Sequence, residues 1–147
     1  MQNNIQDLIK PDLALSGQVI SSATTVTGPI IDTANVREYV LEIVIGTPYT
    51  VNLLTACNVQ LFNDDKSDMS SEAQGGSNVN IFSALAANTL LHIRVQAENY
   101  KRFQRIKVVT TGAPTSLVIS IVAITAQTEF RGTTASPGSG FTLQGTI

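Results

Sequence analysis

Few residues in this chain have side chains that could do covalent or metal chemistry. It has one histidine and one cysteine among 147 residues. His92 lies in Leu90-Leu91-His92-Ile93-Arg94, on the polar side of an alternating stretch. A nucleophilic triad built on it would need a serine in a strained elbow and a carboxylate to orient the imidazole, and no Gly-x-Ser-x-Gly occurs. Cys57 stands among Leu54, Ala56, Val59 and Leu61, the setting of a buried structural thiol, and a lone cysteine excludes an intrachain disulfide. Zinc asks for more His and Cys ligands than the chain offers.

Three further clusters invite chemistry and fall short of it. Asn63-Asp64-Asp65-Lys66-Ser67-Asp68 offers the carboxylates a hard cation wants. However, Asp68 stands where a calcium loop needs its glycine, and no glutamate closes the site. Gly75-Gly76 lacks the following Lys-Ser/Thr and the strand-helix setting of a phosphate cradle. Tyr39, Tyr49 and Tyr100 are the aromatic platforms a sugar-binding sandwich would use, but they are few and scattered. The expectation is a protein with no catalytic residues, no cofactor and no metal.

The elements around these residues are strands. Leu91, Ile93, Val95 and Ala97 alternate with His92, Arg94, Gln96 and Glu98, the period of two of a half-buried strand. Arg102 to Thr111 follows, with Ile106 and Val108 on one face and Arg105 and Lys107 on the other. Leu117 to Thr125 is apolar on both faces, as a central strand would be. Upstream, Tyr39, Leu41, Ile43 and Ile45 oppose Glu38, Val40, Glu42 and Val44, and Val51 to Asn63 reads as a strand with an irregularity near Thr55-Ala56. Gly28-Pro29, Gly46-Thr47-Pro48 and Thr111-Gly112-Ala113-Pro114 are turn signals. Asn63 to Asn78 reads as one long polar loop, mobile or ordered by a partner, and Val79 to Ala87 as either a short strand or a helical turn.

Short strands punctuated by turns, with no convincing amphipathic helix, predict an all-β fold: an antiparallel β-sandwich or jelly roll. The expected organisation is an N-terminal arm (1–15), a sandwich domain (16–127) and an extended C-terminal arm (128–147). In the C-terminal arm Phe141 and Leu143 alternate with polar residues and could add a strand to a neighbour.

Composition narrows the class of function. Charged residues are 14% of the chain, well below the roughly 25% of ordinary domains. Such a chain suits burial against partners, or else a sandwich solvated by Ser, Thr and Asn. The formal net charge is −2, which argues against nucleic acid. No apolar run approaches a membrane span, and the polar residues 1–10 lack the apolar stretch of a secretory leader, so a chain made and kept, or assembled, in a cytoplasm is expected. The charges are segregated: Arg94, Lys101, Arg102, Arg105 and Lys107 against Asp64, Asp65, Asp68 and Glu72. Complementary docking between molecules and a plainly solvated surface are both open at this point. On the closing strand, Val118, Val122 and Ile124 make a poor solvent face and suggest a subunit interface.

From about Ser22 to Thr125 the chain resembles small tailed-bacteriophage virion proteins that decorate or cement the capsid shell. The resemblance is carried by Thr27-Gly28-Pro29-Ile30-Ile31-Asp32-Thr33 and the strand Tyr39-Val40-Leu41-Glu42-Ile43-Val44-Ile45-Gly46. It continues through Val59-Gln60-Leu61-Phe62-Asn63-Asp64-Asp65-Lys66-Ser67-Asp68 and Asn99-Tyr100-Lys101-Arg102-Phe103-Gln104-Arg105-Ile106-Lys107-Val108, and ends in Leu117 to Thr125. It departs at both ends, where the arms are longer than the common core. The resemblance implies a non-enzymatic virion protein on the capsid surface, bound to the major capsid protein and to copies of itself. In that setting Val118, Val122 and Ile124 would serve self-association. Arg102, Arg105 and Lys107 would meet acidic shell surface, and Phe141 and Leu143 would reach a neighbour. A head–tail connector or tail component, and a carbohydrate-binding sandwich, are the alternatives.

Overall fold

The structure, a computed structural model, describes residues 9–126 and 142–146. Its strands are β1 (Ile9–Ile20), β2 (Thr24–Thr27), β3 (Ile31–Asp32), β4 (Tyr39–Thr50), β5 (Leu54–Asp64), β6 (Ala73–Asn80), β7 (Thr89–Val95), β8 (Phe103–Gly112), β9 (Ser116–Ala126) and β10 (Thr142–Thr146). Short 3-10 turns at Phe82–Ala84 and Ala97–Asn99 flank β7.

The pairing is nested. β5 pairs with β6, β4 with β7, β2 and β3 with β8, and β1 with β9, all antiparallel. Rolling that ribbon brings β9 against β4 and β8 against β5. Two sheets result: sheet A in the order β1-β9-β4-β7-β10 and sheet B in the order β2-β8-β5-β6, with β3 also on β8. Taking β2 and β3 as one broken strand, this is the connectivity of an eight-stranded jelly roll. β10 is an addition, parallel to β7 at the edge of sheet A. The all-β sandwich read from the sequence is therefore the observed fold, in its jelly-roll form.

Alternation fills the space between the sheets. From sheet A, Leu41, Ile43, Ile45, Ile93, Val95, Leu117, Ile119 and Ile121 point inward. Val59, Leu61, Ile106 and Val108 meet them from sheet B, all buried. At one end of the core a polar bridge joins the sheets. The Tyr39 hydroxyl of β4 donates to Oε1 of Gln104 in β8 at 2.9 Å. Gln104 Nε2 in turn donates to the carbonyls of Lys101 (3.1 Å) and Ala97 (3.2 Å), with Thr33 Oγ1 at 3.3 Å. Gln104 is wholly buried, so each of these bonds replaces one to water that is no longer available. Burial also pushes the Tyr39 phenol well above its ordinary value, the neighbouring Tyr100 adding to the shift, and keeps it a donor.

At the side of the sandwich, Gly28 donates its N–H to Ile106 O at 2.9 Å. A Cβ at Gly28 would lie 1.7 Å from Ala14 O. The β2–β3 connection therefore seats against β1 only because position 28 has no side chain.

Three expectations are corrected. The arm boundary at residue 15 falls inside β1, and Ala14 and Leu15 are core residues. Period two is lost there because the β1–β9 register shifts between Leu13 and Leu15 and again between Leu15 and Gln18, which puts Ala14 and Leu15 on one side. Half of the long polar loop 63–78 is strand. β6 begins at Ala73, and only Gly75 and Val79 in it are buried. An edge strand with a register shift, and a Gly76 at φ +70, has no apolar alternation to read. The C-terminal strand is added to sheet A of the same chain, with Leu143 in register with His92. Phe141 lies outside the described residues. The Val79–Ala87 stretch divides between the end of β6 and a 3-10 turn, and the expected irregularity near Thr55-Ala56 is a register shift between Leu54 and Ala56.

Replacing Gln104 with leucine is expected to cost about 2–3 kcal/mol in urea unfolding, because it strands the Tyr39 hydroxyl and two buried carbonyls. An unchanged midpoint would show that the bridge contributes nothing net.

Candidate interaction surface

The clusters that could have done chemistry are used structurally. Cys57 is buried and its thiol is pushed up to about 12 by that burial, so it holds almost no thiolate at neutral pH. Among the described residues no group of three or more His, Cys, Asp or Glu could hold a metal ion. The tyrosines are engaged too: Tyr39 in the Gln104 bridge, Tyr49 donating to Leu85 O at 2.9 Å, and Tyr100 beside Gly75, where a Cβ would come 2.7 Å from its ring. None stands out as a sugar platform.

The acidic loop, now 65–72 between β5 and β6, is ordered by the chain itself. Burial raises the Asp64 carboxyl, but N–H groups outweigh it: Ser71 donates at 2.7 Å and Lys66 at 3.3 Å, and the carboxylate is held below its usual range. Asp68 accepts from Ser70 N at 3.0 Å, and Lys101 Nζ is 2.9 Å from Asp65. The basic residues expected to face an acidic shell are likewise paired inside the molecule. Arg102 makes a two-pronged bond to Asp32 at 2.7 and 2.8 Å. Arg105 and Lys107 both donate to Glu72, and Lys107 also sits 3.9 Å from the centre of the Phe62 ring. The charge segregation seen in the sequence is thus largely cancelled within the fold.

What the structure does assemble is a face. The outer side of sheet A is built in rows by the β1–β9–β4–β7 register. One row is Pro11, Ile124, Val40 and Arg94, and the next is Leu13, Val122, Glu42 and His92. Val44 then lies between Ser120 and Leu90, and Val19 beside Val118. The Val118, Val122 and Ile124 singled out by sequence are therefore on one surface, each half-buried. Leu13 is 53% exposed, Val19 68% and Val44 43%. Polar groups gather at the β7 side, where Arg94 is bonded to Glu38 and His92 Nε2 lies 3.9 Å from Glu42. Sequence reasoning missed Leu13, because the shifts in β1 hide its partner. It had Val40 and Val44 on the correct face without their neighbours. The signal is valine at two of the three outward positions between Tyr39 and Ile45, the third being Glu42.

No family model and no curated protein sequence matches the chain. A solved structure of infectious bursal disease virus, Gx strain, is similar at 15% identity and a TM-score of 0.49, over 82% of this chain and 33% of that one. The chain thus spans about a third of the length of the chain it matches.

The Glu72 cluster makes a pH prediction. Burial raises the Glu72 carboxyl, but the bonds from Lys107 and Arg105 outweigh it and lower it. A depressed carboxylate stabilises the fold above its unfolded pKa, and that contribution is lost as pH falls through the lowered folded value. Glu72→Gln, at a site 20% exposed, is expected to cost about 1–3 kcal/mol at neutral pH. It should also flatten the acid limb of the stability curve. A variant whose stability falls with acid as steeply as the parent's would contradict the assignment.

Proposed function

We propose that this chain is a structural protein of a tailed-bacteriophage virion that coats and stabilises the outer capsid shell. The reading is supported chiefly by one observation: among the described residues, the outer face of sheet A carries a run of exposed and half-buried valine, leucine and isoleucine side chains, while the charges and tyrosines are largely engaged internally. A protein of this kind works by mass action. By binding the assembled shell and not the free subunit, it shifts the equilibrium toward the shell. Such a role needs a rigid body, apolar contact area and no reactive group. Jelly rolls serve as capsid and as lectin domains alike, so the fold leaves the choice to the site. The occupied tyrosines weigh against sugar binding, and the resemblance running from Ser22 to Thr125 favours the shell.

Quantitative mass spectrometry of purified particles tests this. Hundreds of copies in fixed ratio to the major shell subunit are expected. A copy number fitting a single vertex would move the chain to a head–tail connector or tail component, and absence from particles would overturn the virion reading.

A further inference from the structure

We propose that the β7 edge of sheet A is a strand-acceptor site for an extended, uncharged segment of a partner protein, with β10 as its exchangeable resident. The inference goes beyond the virion reading and does not need it. It rests on a mismatch between a well-formed edge and the short strand that occupies it.

Without β10 the two sheets would have four edges, and β7 is the best template among them. The β1 edge carries Pro11 and two register shifts. On sheet B, the β2–β3 edge is two short strands broken at Gly28-Pro29, and β6 has a register shift and Gly76 at φ +70. Shortness, proline and bulges are what keep an edge from pairing. β7 has none of them. It runs from Thr89 to Val95 in unbroken register with β4, and Leu91, Ile93 and Val95 anchor it in the core.

The resident strand uses this edge incompletely. β10 pairs with Leu91, His92, Ile93 and Arg94, leaving Thr89, Leu90 and Val95 outside its ladder. The pairing is parallel, whereas the other described pairs of sheet A are antiparallel, and parallel ladders hold slightly less per residue. The register shifts between Leu143 and Gly145, and a glycine inside a strand weakens it. β10 is also the outermost strand of the sheet, so only one of its sides is in the ladder.

Charge and pairing length select the occupant. Arg94 is bonded to Glu38, and His92 lies 3.9 Å from Glu42, so a charged segment finds its counter-charges already engaged. β10 itself, Thr-Leu-Gln-Gly-Thr, is uncharged. Fifteen residues separate β9 from β10, a tether that presents the resident at an effective concentration on the order of millimolar. A second copy's β10 would make the same ladder without the tether, and so loses to the resident. A partner segment that pairs along all of β7, without the shift, gains the three positions β10 leaves unused. Main-chain strand addition to a sheet edge is a recurring mode of peptide recognition.

The test uses the full chain and a fluorescein-labelled peptide with the sequence of residues 141–147, read by fluorescence anisotropy. Leu143→Pro with Gln144→Pro removes two consecutive ladder donors from β10. His92→Cys with Leu143→Cys joins the strands at an in-register pair when oxidised, since neighbouring strands lie within disulfide reach. The proline variant is expected to bind the peptide, and the parent at least about tenfold more weakly, because its resident occupies the edge. The oxidised cysteine variant should not bind, and reduction should restore the parent's level. In hydrogen exchange, the β7 amides that face β10 should open in the parent well before those of β9, and lose protection in the proline variant while β9 keeps its own. If the proline variant fails to fold, the oxidised and reduced forms of the cysteine variant carry the comparison. Equal peptide binding by all forms, no binding by a folded proline variant, or β10-facing amides that exchange only with global unfolding would overturn the proposal. The readouts are independent of copy number in particles, so either reading can fail without the other.

Discussion

The fold turns on how its two sheets are held in register at the end of the core where the apolar layer gives way to polar groups. Gln104 solves this by spending its whole side chain there. Its oxygen accepts from Tyr39 on the opposite sheet, while its nitrogen ties down the carbonyls of Ala97 and Lys101 just before β8. Thr33, just after β3, completes the cluster by donating to Arg102 O at 2.6 Å. The β3–β4 and β7–β8 connections and both sheets therefore meet at one amide. A buried network of this kind is favourable only if every member is satisfied, so it acts as a check on the rolled topology: a slipped sheet would leave several buried groups unpaired.

With the sheets fixed, the two outer faces take different roles. Sheet B faces water with its cations compensated: Arg105 and Lys107 share Glu72, and Lys107 also covers Phe62. Sheet A keeps its β7 side polar and internally paired, and carries on its β1–β9–β4 side mainly valine, leucine and isoleucine, with Glu42 and Ser120 among them. The same alternation that fills the core fixes this second surface, because β9 is apolar at both parities. Only one of its two sets of side chains fits between the sheets.

Much of this was legible in the sequence, and the losses have specific causes. β7, β8, β9 and β4 as far as Ile45 keep period two, and their alternating faces are legible in the sequence. β1 reads as an arm up to residue 15 because two register shifts break its period and Pro11 looks like a stop. β6 reads as a loop because an edge strand that buries only Gly75 and Val79 has no apolar pattern. The pairing of Arg102, Arg105 and Lys107 with Asp32 and Glu72 was invisible because the partners are more than 30 residues away along the chain. Val118, Val122 and Ile124 could be picked out in one strand, whereas the face they belong to depends on which strands flank β9, and pairing order is not written in any one strand.

The measurement closest to the centre of this account is hydroxyl-radical footprinting of the full chain, comparing dilute solution with the assembled state. The account predicts protection of Leu13, Val19, Val44 and Val122, with Ile30 and Leu53 labelled equally in both states. Protection concentrated on Phe62 and Phe103 of sheet B, or spread evenly over all exposed aliphatic residues, would contradict it.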